Sequence, residues 1–175
     1  MAMAVVVQQM VNPLCSGVMF SRSPTTGDRS VVAIEGSWGL GSAIVSGEVT
    51  PDRFVVNKVT GVVVHEDIAE KALEHVPDPS GSGVLAREVQ GERRKQACLD
   101  NTQVAALARL ARHVEKHYGC AQDMEWALAG DEEPSLFLLQ SRPETVWANR
   151  ESQPAMAPKA AAFEHVFSVL GGQKK

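Results

Sequence analysis

Gln122-Asp-Met-Glu-Trp-Ala-Leu128 and Phe137-Leu-Leu-Gln-Ser-Arg-Pro143 are two short runs that together predict a β-hairpin. Read with the two-residue period of a strand, the first run places Asp123 and Glu125 on one face and apolar side chains on the other. Between the runs, Ala129-Gly-Asp-Glu-Glu-Pro-Ser135 is rich in turn-forming residues. The other elements of the chain are best understood as support for this hairpin.

The second run supplies the partner side chains of the hairpin. The same period places four of its side chains on one face and the intervening Phe137 and Leu139 on the other: Leu136, Leu138, Gln140 and Arg142. If the pairing is symmetric about the loop, Glu125 lies opposite Gln140 and Asp123 lies opposite Arg142, each pair about 5 Å apart at Cβ. The hairpin therefore presents one polar patch with two acids, an amide and a guanidinium.

Two interpretations of this polar patch stay open on residue types alone. Carboxylate and amide oxygens are magnesium ligands, and a planar guanidinium pairs with two phosphoryl oxygens at once. The patch is thus suited to a hard cation and a phosphate. Cross-strand pairs of charged and polar residues are also common on exposed sheet faces, where they need no ligand.

Composition and charge restrict the class of protein. The 175 residues are 44% hydrophobic and 22% charged, as in a soluble globular protein of one domain or a little more. The formal net charge of −4 and the absence of a basic stripe argue against a partner nucleic acid or membrane surface. The first residues lack a cationic segment and a long apolar run, so we expect no signal peptide, no membrane span and a cytoplasmic location.

Cysteine spacing argues against a disulfide framework or a zinc site. Cys15, Cys98 and Cys120 are odd in number and widely spaced, without a C-x-x-C pair. We expect free thiols.

Alternation and turn residues predict more strands upstream of the hairpin. Strands over 5–11, 16–21 and 30–35 are expected to form an antiparallel meander, and 54–58 and 61–65 a second hairpin. The glycines of Gly36-Ser-Trp-Gly-Leu-Gly-Ser42 would let the backbone approach a ligand closely. Because this segment lacks a lysine and the dinucleotide glycine order, a phosphate-facing loop and a structural turn both remain open.

Apolar spacing predicts two helices. The first covers 66–76, before a proline- and glycine-rich loop, and the second covers 102–118. Asp100 and Gln103 form a capping box for the second helix, and Gly119 stands at its C-terminal cap. His113 and His117 on this helix are four residues apart, but the sequence offers no third metal ligand.

The upstream motifs and the hairpin together carry a family resemblance. They occur in this order: Val5-Val-Val-Gln-Gln-Met-Val11, Ser16-Gly-Val-Met-Phe-Ser-Arg-Ser-Pro-Thr-Thr-Gly27, Glu35-Gly-Ser-Trp-Gly-Leu-Gly41, Ser46-Gly-Glu-Val-Thr-Pro-Asp52, Gln122-Asp-Met-Glu-Trp126 and Leu139-Gln-Ser-Arg-Pro143. The set resembles the nucleotide-binding domain of the phosphoenolpyruvate synthase and pyruvate phosphate dikinase family, which includes rifampin phosphotransferase and phenylphosphate synthase. The resemblance covers about residues 4–147, and we expect 1–147 to be the domain and 148–175 a linker with a short apolar tail.

This resemblance implies an α+β fold, an ATP-grasp-like half-domain with a mainly antiparallel sheet and flanking helices. The chain resembles the second half of that fold, and ATP and Mg²⁺ are the implied cofactors. Glu125 and Gln140 match residues at the magnesium and phosphate end of the family's site. Arg142 matches the arginine that contacts the ATP phosphates, and is the implied catalytic residue.

Further nucleotide-binding residues follow from the same resemblance. Glu35 is expected beside the nucleotide together with the glycine-rich segment, and Asp123 is expected to orient Arg142. The backbone near Val5 is expected to meet adenine, because that segment resembles the one next to the family's adenine-binding hinge.

The implied activity is transfer of a phosphoryl group from ATP to a histidine on a partner domain. The expected partners are the first ATP-grasp half and the phosphohistidine domain, in the same full-length protein or in a separate subunit, and neither matches any part of this sequence. His165 does not fit the phosphohistidine motif. We therefore expect the chain to be inactive alone, and the alternative is a truncated, non-catalytic nucleotide-binding or assembly module.

Overall fold

The computed structural model describes residues 4–81, 83–130 and 135–148. The chain divides into a compact unit, Met1–Glu144, and a second unit, Thr145–Lys175. The second unit is described only at residues 145–148, so the fold below is that of the first unit. The prediction that His165 belongs to an apolar tail lies outside the described residues, and the domain boundary at residue 147 stays a prediction.

The fold consists of eight strands and two helices among the described residues. The strands are β1 (Cys15–Phe20), β2 (Val31–Trp38), β3 (Asp52–Asn57), β4 (Val63–Asp67), β5 (Leu73–Pro77), β6 (Val84–Glu88), β7 (Gln122–Ala129) and β8 (Ser135–Pro143). The helices are α1 (Ser42–Val45) and α2 (Asn101–Tyr118), and a 3-10 helix spans Gly91–Lys95. No helix in the described parts of the chain has the length and apolar character needed to cross a membrane.

Six strands form one antiparallel sheet in the spatial order β4-β3-β2-β1-β7-β8, and β5 pairs with β6 in a second, two-stranded sheet. Helix α2 packs on one face of the large sheet, against β1, β2, β3 and β7. The predicted α+β fold with a mainly antiparallel sheet and flanking helices is confirmed.

Helix α2 forms where the sequence predicts it. Its apolar stripe is buried against the sheet, and the Asp100 carboxylate accepts a hydrogen bond from the Gln103 backbone N–H while the Gln103 side chain accepts one from the Asp100 N–H. Gly119 ends the helix in the left-handed conformation, with φ of 71°. The predicted capping box and glycine cap are therefore confirmed.

The side chain of Trp126 is fully buried, and its ring lies beside Gly36. Gly17 of β1 lies directly opposite both Gly36 of β2 and Trp126 of β7. A Cβ added at Gly36 would lie 3.0 Å from the Trp126 ring and 3.1 Å from Cys98 Sγ. One added at Gly17 would lie only 1.9 Å from the Glu35 carbonyl oxygen. The backbone contact requires glycine at position 17, and the tight side-chain contacts disfavour any larger residue at position 36.

A buried ion pair connects the large sheet to the segments beside it. Asp52 and Lys71 have fully buried side chains, and Asp52 Oδ1 accepts hydrogen bonds from Lys71 Nζ at 2.5 Å and from the Ala69 N–H at 3.0 Å. Asp52 Oδ2 accepts a third from the Cys98 N–H at 2.8 Å. Because Ala69 and Lys71 precede β5 and Cys98 precedes α2, this cluster fixes the paths leading to both elements.

Two predicted elements are wrong. Residues 66–76 do not form a helix: they contribute to β4 and β5, and residues 68–72 connect these strands. Pairing of β5 with β6 overrides the local helical spacing. The described residues of 5–11 are not a strand, because no neighbouring strand pairs with them in this unit.

The facing predicted for the second run of the hairpin is also wrong in part. The pairing shifts register between Glu125 and Trp126, so that Leu139 is an extra residue on β8. Leu138 consequently lies opposite Trp126, and Leu136 packs against the core. The bulge separates both leucines from the face that carries Gln140.

Replacing Gly36 by alanine is expected to lower the free energy of unfolding by about 1–3 kcal/mol, because the methyl group overpacks the contact with the Trp126 ring. Chemical denaturation of the purified chain measures this loss. Gly41→Ala is the matched control, since Gly41 has φ of −63° and its nearest atom is Ser16 Oγ at 3.6 Å. Equal denaturation midpoints for the two variants would refute the packing account.

Candidate functional site

A row of side chains crosses the sheet on the face opposite α2. Glu35, Val18, Glu125 and Gln140 lie directly opposite one another on β2, β1, β7 and β8. Ile34, Met19 and Met124, which adjoin the first three of these residues in sequence, belong to the core, so the row points away from it, and Gln140 is paired with Glu125 at its end. Glu35 and Glu125 are therefore roughly 10 Å apart, two strand spacings, with Val18 between them.

The structure confirms the predicted cross-strand pairs of the hairpin. Glu125 lies opposite Gln140 and Asp123 lies opposite Arg142. Glu125 and Gln140 are exposed, and within the described residues neither side chain makes a hydrogen bond or an ion pair. Their oxygens are available to a ligand.

Glu35 and the second hairpin pair are already engaged. The Glu35 carboxylate accepts hydrogen bonds from Arg53 Nη2 at 2.6 Å and from Arg53 Nε at 3.0 Å. Arg142 Nε lies 3.6 Å from Asp123 Oδ2, and the Arg142 side chain is 70% exposed. Arg142 is thus held loosely and can move toward a ligand on the same face.

Asp123 is a poorly solvated carboxylate. Its Oδ1 atom is buried and has no hydrogen-bond partner among the described residues. Burial raises the pKa of the Asp123 carboxyl, Arg142 opposes that rise, and the nearby Glu144 adds to it.

A cleft of about 430 Å³ opens beside Glu125 on the same face. Leu40, Gly41 and Ser42 of the glycine-rich segment form one wall, and β1, β7 and β8 form the floor. The lining is Met10, Ser16, Gly17, Val18, Leu40, Gly41, Ser42, Ile44, Val45, Val84, Glu125, Trp126 and Leu139. A mainly apolar cleft with a few polar groups at its edge is typical of small-molecule sites.

A smaller cavity of about 120 Å³ adjoins this cleft and shares five of its lining residues. Gln8, Gln9 and Val11 of the extended N-terminal segment line it. Val5 precedes them in that segment and is 77% exposed. A larger cavity of about 840 Å³ lies against the β5–β6 hairpin, but none of the predicted site residues line it.

The Glu125 carboxylate and the Gln140 amide fit a cation whose remaining ligands are water and substrate phosphates. The described residues contain no group of three His, Cys, Asp or Glu side chains placed to hold a metal ion. Mg²⁺ usually keeps several waters and takes one or two carboxylates plus substrate phosphates. A carboxylate beside an amide, both free of protein partners, meets that requirement.

The sequence matches a family profile described as the AMP/ATP-binding domain of pyruvate phosphate dikinase, over residues 1–162. The chain belongs to this family.

Relatives of this dikinase nucleotide-binding domain are mostly much longer proteins. The phosphoenolpyruvate synthase of Pyrococcus furiosus is 37% identical, over 97% of this chain and 21% of the relative. A probable phosphoenolpyruvate synthase of Staphylothermus marinus is 40% identical, over 90% and 22%. The prodigiosin synthesizing transferase PigC of Serratia marcescens is 40% identical, over 83% and 16%. The chain thus spans about a fifth of the length of the curated relatives it matches.

Sequence reasoning missed much of the cleft of this dikinase domain. Met10, Val18 and Leu139 stand within the quoted motifs, but their place in the cleft depends on tertiary packing that no local pattern predicts. The glycines of 36–42 predict a loop or turn, whereas β2 continues through Trp38 and only the residues after it form the cleft wall. The three glycines in this short segment were the available signal.

The Asp123→Asn variant is expected to be more stable than the unmodified domain at pH 7. Because the pKa is raised above its usual value near 3.9, the stabilising contribution of Asp123 is present at low pH and lost as pH rises through the folded-state pKa. The gain in melting temperature should therefore shrink as the pH falls toward 4. Loss of the ion pair with Arg142 should offset little of this gain in melting temperature, because the Arg142 side chain is 70% exposed.

Thermal unfolding between pH 3 and pH 8 measures the effect, with Asp28→Asn as a control of opposite sign. Hydrogen bonds from Ser30 lower the pKa of Asp28, so the control loses stability at neutral pH. An Asp123→Asn variant that melts below the unmodified domain at pH 7 would contradict the account.

Proposed function

We propose that this domain is the ATP- and magnesium-binding part of a phosphotransferase resembling phosphoenolpyruvate synthase, in which ATP phosphorylates a histidine on a partner domain. The observation that carries the proposal is the exposed pair Glu125–Gln140, whose side chains have no partner among the described residues and whose acid lines a cleft with a glycine-rich wall. Membership in a family described as AMP/ATP-binding supports the nature of the ligand.

Four of the predicted site residues have a role in this proposal. The apolar part of the cleft holds the base, and the Glu125 carboxylate with the Gln140 amide oxygen holds Mg²⁺. When bound, Mg²⁺ neutralises charge that develops on the phosphoryl oxygens. Arg142 donates hydrogen bonds to a phosphoryl oxygen, and Asp123 keeps its guanidinium on the correct face of the sheet. The loose 3.6 Å pairing supports a mobile arginine.

The proposal includes a first ATP-grasp half and a phosphohistidine domain elsewhere in the full-length protein. Exposed apolar side chains beside the cleft support a surface that another domain covers. These side chains are 71–93% exposed: Val5, Val6, Val7 and Met10. The same surface favours the second candidate function, an assembly module without catalysis. We place the enzyme in the cytoplasm, since Cys15, Cys98 and Cys120 are free thiols, as expected in a reducing compartment.

Removing the Glu125 charge is expected to weaken binding of a magnesium complex of a non-hydrolysable ATP analogue by about tenfold to a hundredfold, the usual worth of a charge-assisted contact. Calorimetric titration of Glu125→Gln against the unmodified chain measures this. Asp67→Asn is the control, because Asp67 is an exposed acid of the same sheet, on the far edge strand β4.

Chelation of Mg²⁺ distinguishes a role of Glu125 in metal binding from a general loss of affinity for the ATP analogue. In EDTA, Glu125→Gln and the unmodified chain should bind the analogue equally weakly. Tight binding that is identical in both proteins with Mg²⁺ present would overturn the assignment of Glu125. Absence of any binding, together with tight association with another chain, would favour the assembly module.

Purified alone, the domain is expected to turn over ATP negligibly, because the proposed phosphate clamp lacks its other half. In a full-length enzyme, Arg142→Ala should lower the phosphotransfer rate much more than the melting temperature, since the side chain is mostly exposed. A coupled phosphate-release assay measures both cases. Substantial turnover by the isolated domain that Arg142→Ala abolishes would contradict the prediction.

A further inference from the structure

A histidine outside the predicted site contacts a residue of the cleft wall on the side away from the cleft. His75 belongs to β5 and is 9% exposed, and its Nδ1 atom lies 2.8 Å from Ser42 Oγ. Its Nε2 atom lies 3.6 Å from Glu48 Oε2. Ser42, His75 and Glu48 thus form a chain of polar contacts that begins at the cleft and ends at the residues following α1.

The backbone around this histidine is also attached to the glycine-rich segment. The Leu40 N–H donates a hydrogen bond to the His75 carbonyl at 2.8 Å, and Gly39 pairs with His75 in a parallel bridge. Gly39 has φ of 70°, and a Cβ there would lie 2.2 Å from the His75 carbonyl oxygen. This close approach requires glycine at position 39.

The start of the segment is held without any help from the His75 imidazole. Ser16 Oγ donates a hydrogen bond to the Gly39 carbonyl at 2.6 Å, and the Gly39 N–H donates one to the Leu14 carbonyl at 3.0 Å. The Ser42 hydroxyl, by contrast, has His75 as its side-chain partner, and Ser42 is itself exposed and lines the cleft. The imidazole is therefore positioned to orient a hydroxyl rather than to fold the loop.

We propose that Ser42 is a hydrogen-bonding residue for the nucleotide and that His75, backed by Glu48, is its positioning residue. This inference rests on the proposed function, because it assigns a role in the same cleft. A hydroxyl held by a ring nitrogen at 2.8 Å loses rotational freedom before the ligand arrives, so less ordering is needed on binding. The Ser42 hydroxyl would act at the wall, opposite the acid and amide on β7 and β8.

The test compares four variants by calorimetric titration with the magnesium complex of a non-hydrolysable ATP analogue and by thermal unfolding. Ser42→Ala should weaken binding about threefold to tenfold, the worth of one neutral hydrogen bond, and should lower the melting temperature no more than His75→Leu does, because both changes remove the same Ser42–His75 contact. His75→Leu should weaken binding similarly although it does not contact the cleft. His75→Asn, whose amide occupies the place of Nδ1, should restore most of the affinity.

The double variant Ser42→Ala/His75→Leu completes a cycle. Its loss of affinity should equal that of Ser42→Ala alone, since the histidine acts only through the serine. If Ser42→Ala and His75→Leu bind as tightly as the unmodified chain while Glu125→Gln loses affinity, the inference is overturned and the proposed function stands. If the unmodified chain binds no nucleotide, both are overturned.

Discussion

The packing of Trp126 against Gly36 is the constraint on which the rest of the structure depends. The indole is fully buried where three strands meet, Gly36 leaves room for its ring, and Gly17 lets β1 lie close to the Glu35 carbonyl of β2. Because successive side chains of a strand alternate, burying Trp126 forces Glu125 onto the opposite face. The same register places Val18 and Gln140 on either side of that acid. One aromatic contact thus determines both the core and the exposed polar row.

Stability and the candidate site are supported by different groups. The Asp52–Lys71 pair and the core under α2 lie on one side of the sheet, and removing one partner of such a buried pair typically costs about 3–5 kcal/mol. On the other side, the free carboxylate and amide, the loosely held Arg142 and the buried Asp123 oxygen add little stability. Groups left without protein partners in this way are typical of sites completed by a ligand.

Much of the hairpin could be predicted, because strand alternation and turn residues are local signals. The pairing of Glu125 with Gln140 followed from symmetry, whereas the bulge at Leu139 did not, since it depends on fitting Leu138 opposite Trp126. Residues 66–76 misled the prediction because β5 is stabilised by β6, and the buried Lys71 reads locally as a surface residue. The role of His75 depends on a contact with Ser42 across 33 positions, which no local pattern carries.

Paramagnetic broadening by Mn²⁺ in complex with a non-hydrolysable ATP analogue tests the central claim most directly, namely that the exposed pair on β7 and β8 is the metal end of a nucleotide site. The account predicts that backbone amide signals of Glu125 and Gln140 broaden strongly, those of Leu40 to Ser42 less, and those of the outer face of α2 not at all. Broadening centred on His113 and His117 of α2, with the hairpin signals unaffected, would contradict it.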